Sequence, residues 1–257
     1  MASLSPPSGD AGGVGTLHFG ADVSLSSDSS IVAIGAYGDT SYGEDSGAVY
    51  LYSLTTFELV VKLTASDSRA LVRFGSSVAL HQSTLIVGTP RDILETGGNV
   101  RGSVYLYEAQ GNPQTADSWV QVSKIGGDAY VAPGIPSFAD AKFGDEVAIA
   151  SNVAMAGAKG DNQAFFMFAS KGVTVPGTEL QEPAAAGAQL GTTTAISDAG
   201  DIMVTGAPTG GAGGQAFVYG CASHPPTTAC WQQLSELVPT TTPAIEDKFG
   251  GAVATNV

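Results

Sequence analysis

Five near-copies of one short signature constrain this chain more than any other feature. Phe19-Gly20, Phe74-Gly75, Phe143-Gly144, Leu190-Gly191 and Phe249-Gly250 each open a run of alternating apolar residues. The first four are followed by Gly35-Ala36, Gly88-Thr89, Gly157-Ala158 and Gly206-Ala207, and then by an aromatic segment such as Val49-Tyr50-Leu51-Tyr52. Self-similarity of this kind marks a structure assembled from repeated supersecondary units.

Spacing separates a true repeat from chance composition. Gly20 to Gly35 and Gly191 to Gly206 span fifteen residues; Gly75 to Gly88 and Gly144 to Gly157 span thirteen. A difference of two keeps every side chain on its own face of a strand, whereas a difference of one would swap the faces. Each unit closes with a further apolar-alternating segment, at Phe57 to Leu63, Trp119 to Ile125, Val173 to Leu180 and Trp231 to Leu237. Turns rich in Gly, Ser, Asp and Pro separate the segments.

Each unit is therefore predicted to be four short strands, A to D, starting near residues 19, 74, 143, 190 and 249. With no helical periodicity, the pattern predicts an all-β chain, a β-propeller of four-stranded antiparallel blades. Two-sided burial between blades accounts for apolar runs with little polar alternation, such as Phe165-Phe166-Met167-Phe168. Four blades are complete, and Phe249 to Val257 supplies only the first strand of a fifth. Closing a ring needs one end of the chain to complete the blade begun by the other. Residues 1–18 read as a flexible lead-in and hold no such strands, so 19–257 is expected to be a segment of a larger propeller. A four-bladed ring with one surplus strand is the alternative.

The opening Phe-Gly, the Gly-Ala or Gly-Thr after strand B, and the strands Gly47-Ala48-Val49-Tyr50-Leu51-Tyr52 and Gly102-Ser103-Val104-Tyr105-Leu106-Tyr107 resemble the FG-GAP repeats of integrin-α-like propellers. The stretch Val61-Lys62-Leu63-Thr64-Ala65-Ser66-Asp67 is similar to the microbial and protist branch of that family. The resemblance covers residues 19–257, with two departures: the third unit lacks a Gly before strand C, and the fourth has Leu190 for Phe. It implies a propeller of about seven blades. It also implies a non-enzymatic binding or adhesion module, extracellular or at the cell surface, presenting loops to protein or glycan ligands.

The resemblance further implies an Asp-x-Asp-x-Asp-Gly calcium loop between strands A and B, because a hard cation needs several oxygens converging from a tight turn. The corresponding connections are Ser26 to Ser30, His81 to Thr84, Ser151-Asn152 and Asp198 to Asp201; none offers three such ligands at alternate positions. The metal role does not transfer to them. A weaker calcium candidate is the B–C loop of the first unit, with Asp39, Glu44 and Asp45; solvated turn residues are the plainer reading. No other cofactor is expected.

The net charge is −14, although only 13% of residues are charged. That balance argues against nucleic acid and against docking on anionic lipid. No stretch approaches a membrane span, and the first ten residues have neither the basic region nor the apolar core of a secretion signal. Cys221 and Cys230, the only cysteines, bracket the C–D connection of the fourth unit. An antiparallel hairpin would bring them within bonding range, and a bridge there would stabilise by roughly 2.5–3 kcal/mol. Two reduced thiols are the alternative.

Catalytic motifs are absent: His18, His81 and His224 fall at a strand edge, an A–B turn and the Cys-bracketed loop, so no common site is implied, and there is no nucleophile elbow, zinc-protease helix or phosphate loop. The competing function is a secreted carbohydrate-active hydrolase or lyase. That reading requires at least two converging carboxyl groups with raised pKa at the propeller mouth.

Overall fold

In the computed structural model, the described residues are 3–10, 17–93, 100–127, 140–151, 153–160, 163–170, 173–180, 188–211, 213–222, 230–239 and 248–255. They form sixteen strands in four groups of four. Sheet 1 contains β1 (Phe19–Leu25), β2 (Ile31–Ala36), β3 (Ala48–Ser53) and β4 (Leu59–Leu63). Sheet 2 contains β5 (Ser77–His81), β6 (Thr84–Thr89), β7 (Val100–Ala109) and β8 (Trp119–Gly126). Sheet 3 contains β9 (Asp140–Ala150), β10 (Val153–Ala158), β11 (Gln163–Ser170) and β12 (Val173–Leu180). Sheet 4 contains β13 (Thr193–Ile196), β14 (Ile202–Ala207), β15 (Gln215–Cys221) and β16 (Trp231–Leu237). Within each group, consecutive strands pair antiparallel.

The sheets stack face to face, and the alternation of each central strand divides its side chains between two neighbours. Ile31, Ala33, Val49 and Leu51 of sheet 1 meet Phe74, Leu85, Val87 and Tyr105 of sheet 2. On the opposite face of sheet 2, Ile86, Val104 and Leu106 meet Phe143, Ala154 and Ala156 of sheet 3. Val153 and Met155 then meet Leu190, Met203, Phe217 and Tyr219 of sheet 4. Every residue of β2, β3 and β10 is buried. Both faces of these strands are dry, so their sequences are continuously apolar. Among the described residues, no apolar cluster joins sheet 4 back to sheet 1.

The Phe-Gly signature is the seam between sheets. Gly47 bridges in parallel to Phe74, Gly102 to Phe143 and Gly214 to Phe249. A β-carbon built at Gly47, Gly102 or Gly214 would fall 2.0–2.1 Å from the carbonyl oxygen of that partner. Side chains are therefore excluded there by close backbone approach. Each ring then packs inside its own sheet: Phe74 meets Tyr105 edge-on at 5.4 Å, and Phe19 meets Tyr50 at 5.5 Å.

Residues 3–10 lie against the outer face of sheet 1. Leu4 packs on the Val32–Tyr50–Tyr52 cluster, and the Ser5 carbonyl accepts a 2.6 Å hydrogen bond from the Tyr52 hydroxyl. On sheet 2, Thr64 plays the same part for Tyr107 at 2.7 Å. At the other end, Phe249 holds its bridge to Gly214, but residues 251–255 form no strand. An A strand pairs with the B strand of its own unit, and no such partner follows among the described residues.

Candidate functional site

The start of A, the end of B, the start of C and the end of D all lie at one end of each sheet, as the Phe19–Ala36 and Ala36–Ala48 pairs show. The B–C loops and the D-to-A linkers therefore share that end. Two equivalent buried polar clusters sit beneath it.

In sheet 1, Asp39 at the root of the B–C loop is 1% exposed. Its carboxylate takes Lys62 Nζ at 2.8 Å, the Tyr50 hydroxyl at 3.0 Å and the Ser41 amide at 2.9 Å. Asp10 approaches from the other side, 3.1 Å from Lys62 and 3.2 Å from the Tyr50 hydroxyl. In sheet 2, Asp92 is 2% exposed and takes Lys124 Nζ at 2.7 Å, the Ser103 hydroxyl at 2.6 Å and the Arg69 guanidinium. Asp67 is the counterpart of Asp10, 2.6 Å from Lys124 and 2.8 Å from the Tyr105 hydroxyl. Strand register makes the lysines meet the tyrosines: Tyr50 lies opposite Lys62, and Tyr105 opposite Lys124.

The clusters are fixed charges. Burial opposes ionisation of Asp39, but Lys62 and Ser41 outweigh it and hold the carboxyl below its usual range. Asp67 is likewise held down by Lys124 and Tyr105 against the effect of burial. Burial also disfavours the lysine charges, yet the carboxylates raise both Lys62 and Lys124. Burial and then the neighbouring carboxylates push the Tyr50 and Tyr105 hydroxyls far up, so they serve only as neutral hydrogen-bonding groups.

The three carboxylates of the first B–C loop do not converge on one point in the structure. Asp39 is committed to Lys62, while Asp45 pairs with Arg73 of the next linker at 3.0 Å. Glu44 contributes its carbonyl to the Leu71 amide, and the Asp45 carbonyl accepts from Arg73 N at 2.9 Å. The loop is a clamp between units, and no group of three His, Cys, Asp or Glu that could hold a metal is found among the described residues. His81 lies at the β5–β6 turn, and His224 lies outside the described residues.

A second feature runs along the A strands. Asp22 of β1 accepts the Val78 amide at 2.7 Å and the Ser77 hydroxyl at 3.0 Å, and Ser77 in turn accepts the Val147 amide at 3.1 Å. Glu146 of β9 follows in this line. Burial, then Asp22 and Asp145, push its carboxyl up to about 8; Lys159, paired with Asp145, only partly opposes them. The disulfide Cys221–Cys230 is formed, with a Cα separation of 5.0 Å, and ties β15 to β16 at the far end of sheet 4.

The sequence reading missed the Asp–Tyr–Lys clusters and Glu146. The signal for the clusters was present: Asp39 and Asp92 each follow a strand-B glycine by four residues, and both lysines recur on strand D.

Stacked four-stranded sheets joined through glycine seams define an all-β repeat protein. Its first two units match the FG-GAP repeat family, at residues 10–52 and 57–107. The match begins at residue 10, so Asp10 belongs to the repeat as Asp67 does. No curated protein matches the chain. A solved structure of Kuenenia stuttgartiensis hydrazine synthase is similar in fold, with a TM-score of 0.52 and 13% identity over 84% of this chain. This chain spans 47% of that one, and at such identity the likeness concerns fold alone.

Proposed function

We propose that the four sheets are blades of a β-propeller, and that the chain is a non-enzymatic binding module of an extracellular or cell-surface protein. Its B–C loops and linkers would present the surface that meets a protein or glycan. One observation carries this reading: the strongest polar groups at the loop end, Asp39 and Asp92, are each locked to a lysine that holds the scaffold. A loop end made rigid in this way favours recognition over chemistry. Beside sheet 4, Leu237 and Phe249 are exposed near Val204 and Ala216, an apolar face open to a partner. The disulfide is in keeping with an oxidising compartment. The test is an array of glycans and extracellular proteins probed with the purified protein. A specific ligand lost on replacing loop residues 40–46 supports the reading, and silence across both arrays overturns it.

Glu146 favours the second reading, a carbohydrate-active hydrolase or lyase. A carboxyl still protonated near neutral pH beside ionisable Asp22 has the character of a general acid. Release of reducing ends from a glycan panel, abolished in Glu146→Gln, supports that alternative; equal release by the variant removes it.

A further inference from the structure

Residues 3–10 belong to no strand, yet they hold a defined place on sheet 1. The face they cover is aromatic: the Phe19 ring meets Tyr50 edge-on at 5.5 Å and Tyr52 at 6.2 Å. Leu4 packs on the cluster that contains both tyrosines, Val32 and Ile34. The Tyr52 hydroxyl donates to the Ser5 carbonyl at 2.6 Å. Asp10 closes the contact, 3.1 Å from Lys62 Nζ and 3.2 Å from the Tyr50 hydroxyl. Between these anchors lie Pro6 and Pro7, both half-buried. Proline fixes φ, so a proline-rich segment is extended in advance, with its carbonyls free to accept hydrogen bonds. Aromatic-lined grooves are the usual receptors for such segments.

Sheet 2 carries the same groove, filled by the linker that leaves sheet 1. Leu63 is buried in the cluster of Phe74, Tyr105 and Tyr107, the Thr64 carbonyl accepts from the Tyr107 hydroxyl at 2.7 Å, and Asp67 meets Lys124 at 2.6 Å. That linker is also tied down by its backbone, since the amides of Leu71, Arg73 and Phe74 donate to the carbonyls of Glu44, Asp45 and Ser46. Among the described residues, the segment 3–10 has no such ties; its one bond between backbone groups is internal, from the Asp10 amide to the Pro7 carbonyl at 3.1 Å. It is held as a ligand is held, by an apolar side chain, two tyrosine hydroxyls and an ion pair. It also leaves part of the face bare. Val23 and Leu25 are 59% and 55% exposed, whereas Val78 and Leu80, at the same positions of the second unit, are 4% and 5%.

We propose that the outer face of sheet 1 is a docking groove for a proline-rich, carboxylate-bearing peptide, filled in cis by residues 3–10 and in trans by the same segment of a second copy. The second copy's segment is complementary because the groove already holds that sequence. Exchange is inexpensive, since each contact broken in cis is remade in trans. The incoming chain also brings further surface to Val23 and Leu25. This site is independent of the loop-surface ligand proposed above.

Sedimentation equilibrium of the full chain, together with titration of a fluorescein-tagged synthetic peptide of residues 2–11, tests this. Wild type should form a dimer as its concentration rises, and excess untagged peptide should dissociate it. In the full-length double variant Leu4→Ser, Asp10→Asn the chain's own segment no longer competes, so the tagged peptide should bind about tenfold tighter than to wild type. The dimer should be absent from that variant. Adding Tyr52→Phe keeps the ring and removes the donor to the Ser5 carbonyl, so affinity for the peptide should fall severalfold. Salt should weaken binding, because Lys62 meets the carboxylate of the peptide. A wild type that stays monomeric at about millimolar concentration, a double variant that takes up no peptide, or equal uptake after Tyr52→Phe overturns the proposal.

Discussion

The carbonyl of Gly75 lies directly against Gly35, where a β-carbon would fall 2.2 Å from its oxygen. The same relation recurs between Gly88 and Gly144, Gly157 and Gly191, and Gly206 and Gly250, at 1.9–2.0 Å. Backbone on backbone cannot yield as a flexible side chain can. Gly35→Ala or Gly88→Ala should therefore cost about 2–3 kcal/mol or more by forcing adjacent sheets apart. Gly20, at φ +85° with nothing within 4 Å, is the internal control. Gly20→Ala should cost only the left-handed strain, about 1–2 kcal/mol. Urea unfolding of the three variants checks the ranking; equal losses would mean that conformation, not sheet contact, selects these glycines.

Lys62 neutralises a carboxylate that water barely reaches. Lys62→Met should destabilise by about 3 kcal/mol, because it strands Asp39. Adding Asp39→Asn should return much of that loss, since the Ser41 amide can still bond the amide oxygen while the Tyr50 hydroxyl turns to accept from the amide nitrogen. The sign with pH follows from the depressed carboxyl of Asp39. Its stabilisation is present above the ordinary carboxylate range, near pH 4, and is lost as pH falls through the lower folded value. Acid unfolding of wild type should show that loss, and the double variant should lack it.

The fold was legible because its periodicity is written in residues that have no substitute. Gly47, Gly102 and Gly214 must lack side chains where backbones meet, and Phe74 and Phe143 must fill the gap beside them. The clusters were less legible because their partners come from different strands. Asp39 looks like a loop ligand until the register of β3 and β4 places Lys62 beside Tyr50. Asp10 and Asp67 do one job at different distances from the following Phe, nine residues for Asp10 and seven for Asp67, so alignment on Phe19 and Phe74 hides the match.

The Cys221–Cys230 bridge holds the exposed strand β16 to the buried strand β15. Replacing both cysteines with serine should cost about 2.5–3 kcal/mol on the loop-entropy estimate. The loss should be local at first, since among the described residues sheet 4 packs on another sheet through one face only. Hydrogen exchange should accelerate at 231–237 while β2 and β6 keep their protection. Uniform acceleration across all four sheets would show instead that the stack unfolds as one unit.

Glu146 supplies the stability change nearest neutrality. Its carboxyl has an ordinary value of 4.5 and is pushed up to about 8 in the fold, first by burial and then by Asp22 and Asp145. Between those values the folded protein keeps a proton that the unfolded chain has released. Stability from this group is thus complete below 4.5, declines as pH rises through the window, and is gone above about 8. Glu146→Gln keeps the neutral form at every pH, so its Tm advantage over wild type should grow steadily across that window. Asp22→Asn, which preserves the oxygen that accepts the Val78 amide, should move the midpoint of that growth toward lower pH. A Tm difference that stays flat with pH would mean that Glu146 ionises in the fold as it does in the open chain.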